Sequence, residues 1–127
     1  MTTIVSPASS PVPVYNRSGV TIVEVPATGQ DQSTGAPIPA VSGHTVVLGS
    51  TSGLTDRCVN LPSGSDIGDV IEVYNVAATN GGYALVVNPA SGETLNSGSD
   101  GLPCSLVGGR WFRKTSSTNW QSFGNIS

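Results

Sequence analysis

Apolar residues in this chain come in short runs dominated by valine and isoleucine, and each run is closed by glycine, proline, asparagine or serine. β-branched side chains lose χ1 freedom in a helix and pack well on a pleated surface, so such runs favour strands. Ala, Leu, Glu, Lys and Arg never recur at helical spacing over several turns, which excludes a helical bundle. The pattern predicts β structure with many turns.

Composition narrows the class further. A hydrophobic content of 37% and a net charge of −3 exclude a charged disordered tail. The 127 residues are enough for one core and leave little room for a second. Only 10% of residues are charged, against roughly 25% in an average soluble domain. The densest basic stretch is Arg110, Arg113 and Lys114. That is too sparse to neutralise a run of phosphates, so no nucleic-acid partner is expected. No apolar stretch reaches the length of a membrane-spanning helix, and no membrane partner is expected. The first residues, Met1 to Pro7, carry neither a basic region nor an apolar core of the signal-peptide kind. Synthesis and folding in a cytoplasm are therefore expected.

Prolines divide the chain unevenly. Pro7, Pro11, Pro13, Pro26, Pro37 and Pro39 all fall in the first third. Proline fixes φ and removes a ladder donor, so residues 1–43 read as an extended arm, with 6–14 outside regular sheet and 29–35 a mobile loop. One island in it differs. In Val20-Thr21-Ile22-Val23-Glu24-Val25, Val20 and Ile22 point one way, and Val23 and Val25 the other. A strand apolar on both faces is usually covered on both. Val20, Ile22, Val23 and Val25 are thus expected to dock on a neighbouring subunit. From residue 44 onward, strands are predicted at 45–48, 57–61, 69–76, 83–88, 93–96, 104–107, 110–114 and 119–123. Asn80-Gly81-Gly82 reads as a hairpin turn between two of them, because positive φ costs Asn and Gly little. The expected fold is all-β: a small sandwich or barrel of about eight short antiparallel strands over 44–127, with the extended N-terminal arm.

Catalytic chemistry finds few candidates. His44 is the one histidine, and it follows Ser42-Gly43 in what reads as a turn rather than beside a nucleophile. Two cysteines and one histidine make no zinc site. Asp66 and Asp69 lack the ligand density of a calcium loop and read as a polar turn. No catalytic residue, cofactor or metal is expected. Cys58 and Cys104 either pair or remain buried free thiols, and a reducing compartment favours the thiols. Trp111, Phe112, Trp120 and Phe123 form the one aromatic cluster. They fit either a core or subunit contact across the final hairpin, or a stacking platform for a ligand.

An ordered series of short phrases spans residues 44–124. Asn60-Leu61-Pro62 is followed by Ile67-Gly68-Asp69-Val70-Ile71-Glu72-Val73-Tyr74-Asn75. Then come Leu85-Val86-Val87-Asn88-Pro89, Gly92-Glu93-Thr94-Leu95-Asn96, Gly109-Arg110-Trp111 and Thr118-Asn119-Trp120. The series resembles the small β modules of tailed-bacteriophage virion proteins, most closely the capsid decoration, or cement, proteins. The resemblance implies a non-enzymatic homotrimer on the outer capsid surface of a virion, stapling neighbouring subunits of the major capsid protein. A tail-fibre attachment module, or a carbohydrate- or receptor-binding module using Trp111, Trp120 or Tyr74, is the alternative. The arm lies outside the resemblance.

Overall fold

The computed structural model describes residues 3–5, 14–17, 19–40, 42–50, 57–76, 84–104 and 108–126. All regular structure among them is β. The strands are β1 (Thr3–Val5), β2 (Val14–Arg17), β3 (Val20–Pro26), β4 (Ala36–Pro37), β5 (His44–Ser50), β6 (Arg57–Asn60), β7 (Val70–Asn75), β8 (Leu85–Asn88), β9 (Thr94–Leu95), β10 (Leu102–Cys104), β11 (Gly109–Ser116) and β12 (Asn119–Ile126). They form a large sheet in the order β1-β2-β3-β5-β7-β11-β12-β9 and a small one in the order β10-β8-β6-β4.

From β3 to β8 the chain alternates between the sheets. β3, β5 and β7 are parallel neighbours in the large sheet, and β4, β6 and β8 are parallel neighbours in the small one. Three successive coils therefore stack in a β-solenoid-like arrangement rather than in the expected antiparallel sandwich or barrel. Antiparallel pairing is confined to the ends. β2 and β1 extend the large sheet beyond β3, the β11–β12 hairpin closes it beyond β7, and β10 closes the small sheet beyond β8. Each coil enters the large sheet through a glycine in the left-handed region: Gly19 (φ 79°), Gly43 (φ 88°) and Gly68 (φ 98°). Their recurrence about every 25 residues is the sequence mark of the coil.

Equivalent residues of successive coils stack. Val23, Val47 and Val73 lie in register and are fully buried. So do Val59 and Val87 across β6 and β8. With Val25, Ile38, Leu61, Ile71, Leu85, Phe112 and Trp120 they fill the space between the sheets, each large side chain contributing about 1.5–3 kcal/mol. One buried ion pair ties the C-terminal end together. Lys114 Nζ donates to Glu93 Oε1 at 2.7 Å and lies 5.3 Å from the Trp120 ring centroid. Lys114 is fully buried, so the residue before β9 is held to β11.

Three expectations change. The boundary at 43/44 does not divide the fold, because β3 pairs along its whole length with β5, and Val23, Val25, Ala27 and Ile38 belong to the common core. Val23 and Val25 are thus core residues of their own chain rather than contacts with a neighbour. The Asn80-Gly81-Gly82 turn lies outside the described residues, but the strands flanking it do not pair as a hairpin. β7 and β8 sit in different sheets. Of the segments expected to be arm, 6–13 and Val41 also lie outside the described residues.

Candidate functional site

Alternation gives the large sheet two faces. Along β3, β5 and β7, residues 21, 23, 25, 45, 47, 71 and 73 are buried toward the small sheet. The residues between them point outward, and the parallel register lines these up in rows across the strands. One row is Ile22, Val46, Glu72 and Trp111; the next is Glu24, Leu48, Tyr74 and Gly109; the third is Val20, His44, Val70 and Arg113. A solvated sheet face normally carries polar residues at such positions. Here seven of the twelve are aliphatic or aromatic, and most are half-buried. At the β12 side, Phe123 is 50% exposed, and Val76 beyond β7 is 47% exposed.

A chain of side-chain hydrogen bonds crosses the middle of this face. His44 Nε2 contacts Glu72 Oε2. Tyr74 donates its hydroxyl to Glu72 Oε1 at 2.5 Å, and Trp111 Nε1 donates to the Tyr74 oxygen at 3.0 Å. Both carboxylate oxygens of Glu72 are thereby engaged. Burial, and secondarily the bond to the Glu72 carboxylate, hold the Tyr74 hydroxyl above its ordinary pKa. A glycine at 109 makes room for the tyrosine ring, since a Cβ there would meet its Cδ1 at 2.4 Å. Beside the chain, the Trp111 and Phe123 rings lie 5.8 Å apart at 55°, and the Arg113 guanidinium sits 5.2 Å from the Phe123 centroid. Cross-strand aromatic and cation–π contacts of this kind rigidify the face.

The structure separates the residues that sequence had grouped. Phe112 and Trp120 are fully buried in the core, whereas Trp111 and Phe123 lie together on the outer face. Val20 and Ile22 are outward and half-buried, while Val23 and Val25 point inward. His44 stands at the start of a strand rather than in a turn. Cys58 and Cys104 are buried and form no disulfide, and burial pushes the Cys104 thiol up to about 11, the opposite of an activated nucleophile. Asp69 staples a turn, accepting from Gly43 N at 2.9 Å and Asp66 N at 3.0 Å. Among the described residues no group of three His, Cys, Asp or Glu is placed to hold a metal ion, and no helix is long and apolar enough to cross a membrane. A depression of about 430 Å³ at one end of the small sheet is lined by Gln32, Pro37, Ile38, Asn60, Leu61 and Ala90 among others, without a titratable side chain.

Two features escape a reading of the sequence. The Lys114–Glu93 pair and the His44–Glu72–Tyr74–Trp111 chain each join residues distant along the chain. The placement of Glu72 and Tyr74 on one face of their strand was legible, but their partners His44 and Trp111 depend on the pairing of β7 with β5 and with β11. Comparison with family models, with curated proteins and with solved structures finds no match for the chain.

Proposed function

We propose that this chain is a non-enzymatic structural protein of a virion. In this reading it is a capsid decoration protein that assembles as a homotrimer and staples neighbouring subunits of the major capsid protein. The observation that carries the reading is the outer face of the large sheet. It is broad and largely apolar, and the polar atoms at its middle are already paired with one another. Dehydrating unpaired polar groups is costly. A face whose carboxylate, imidazole, phenol and indole satisfy each other can be covered by protein at little cost. The resemblance of residues 44–124 to phage virion modules supplies the biological setting, and the scarcity of charge agrees with a surface made to be covered. Many weak contacts made together by an oligomer give strong attachment without a tight single site.

A tail-fibre attachment or glycan-binding module is the second reading, favoured by the exposed Phe123 beside Trp111. A glycan site needs polar atoms free to bond sugar hydroxyls, and those of Glu72 and Tyr74 are engaged. Light scattering of the purified protein, with and without undecorated capsids, separates the two. Decoration predicts a trimeric mass and co-sedimentation with capsids. A monomer that ignores capsids and binds a glycan array contradicts it.

A further inference from the structure

We infer that the outer face of the large sheet is where one copy of this chain packs on another, and that Glu24 of one copy meets Arg113 of the next. The inference rests on the assembly reading above and names its surface and its polar contact. Edge-to-edge pairing is the other route by which β proteins associate, and the free edges here are poor templates. In the small sheet, β4 is two residues long and ends in Pro37, and β10 has Pro103 at its centre; in the large sheet, the edge strands β1 and β9 are three and two residues long. Short strands and prolines are how sheets blunt their edges. The face offers what the edges do not.

Charge selects the occupant. In the three rows of the face, His44 and Glu72 are in contact with each other. Glu24 and Arg113 are exposed, and neither has an ion-pair partner among the described residues. They occupy opposite corners of the face. Three strand spacings and four residues separate them, about 14 Å across the strands and about 13 Å along them. One acid and one base at opposite corners make the surface complementary to itself. Residues paired by a rotation axis lie at the same height along it, so the axis follows the other diagonal, from Val20 to Gly109. This holds for a two-fold or a three-fold axis. Strands of adjoining copies then cross at a large angle, as in the orthogonal mode of sheet packing. The aliphatic and aromatic residues between the corners supply the dry centre, and the tied Glu72 enters it without an unpaired oxygen.

Charge exchange in the full chain tests this. The dissociation constant of the oligomer is measured by sedimentation equilibrium for the wild type, Glu24→Arg, Arg113→Glu and the double variant. Each single variant is expected to weaken association at least tenfold, and the double variant to return to within about threefold of the wild type. Thermal melting checks that each variant is folded, and Glu24→Gln with Arg113→Gln replaces any that is not. Singles that associate like the wild type, a double variant no better than the singles, or a wild type that stays monomeric would each overturn the inference. Co-sedimentation of the wild type with undecorated capsids reads the decoration role separately. Its absence alongside a successful charge exchange removes that role and leaves the face.

Discussion

The two faces of the large sheet are built from the same strands, yet they solve different problems. Inward, Val23, Val47 and Val73 stack at zero exposure beneath a second sheet. Outward, one residue away on each strand, Ile22, Val46 and Glu72 line up with no second sheet over them among the described residues. The inner face holds Lys114 by an ion pair within the core; the outer face holds His44, Glu72, Tyr74 and Trp111 by a chain of hydrogen bonds across its surface. The difference teaches that hydrophobicity alone does not distinguish core from interface. What distinguishes them is whether the chain itself supplies the second layer.

The sharpest way to break this contrast is to place one charge on each face of one strand. Val23→Asp puts a carboxylate into the core and removes a buried valine. The loss should exceed about 3 kcal/mol and leave the free chain unfolded or close to it. Ile22→Asp, its neighbour, should keep the thermal midpoint within a few degrees of the wild type while abolishing self-association. Equal loss of stability in both variants, read by thermal melting, would erase the distinction.

A smaller effect sits in the core's ion pair. Lys114→Met leaves the Glu93 carboxylate, only 10% exposed, without its partner. Chemical denaturation should show a cost of about 3–5 kcal/mol, and Lys114→Met with Glu93→Leu should recover most of it. No recovery would mean that the contact of Lys114 with Trp120, rather than the charge pair, is what the core needs.

The smallest is a pH effect. Burial raises the Cys104 thiol from 9.0 to about 11 in the folded chain. A raised folded pKa means that the native state holds the proton more tightly. The stability it brings is therefore complete below pH 9 and is lost as pH rises toward about 11. The loss is about 2–3 kcal/mol, and Tyr74, also raised mainly by burial, adds in the same direction. Unfolding free energy should be level from pH 7 to 9 and fall above it. The fall should be shallower in Cys104→Ala; an identical slope in that variant would exclude the thiol as its source.

Strand positions were legible in the sequence because β-branched runs and their closing turns are local. The predicted 69–76 and 110–114 contain or fall within β7 and β11, and 57–61 contains β6. Pairing was not legible, because a buried parallel strand and a buried antiparallel strand have the same local pattern. The signal that would have separated them was present in Gly19, Gly43 and Gly68, each placed just before a valine-rich run. Its meaning lies in the period rather than in any one residue. The proline-rich beginning misled for a related reason. Prolines at 26, 37 and 39 mark the ends of β3 and the short edge strand β4, and not the absence of sheet. Val20 and Ile22 lie half-buried on the outer face. The inward role of Val23 and Val25 depended on β5, which sequence could not bring beside them.

The central claim is that the outer face is covered by another copy of the chain. Hydroxyl-radical footprinting of Phe123 and Trp111 across a dilution series tests it most directly, since side-chain labelling follows solvent access. Both should be labelled readily at low nanomolar concentration and protected at tens of micromolar, while fully buried Phe112 and Trp120 stay unlabelled throughout. Labelling of Phe123 and Trp111 that is independent of concentration would contradict the account.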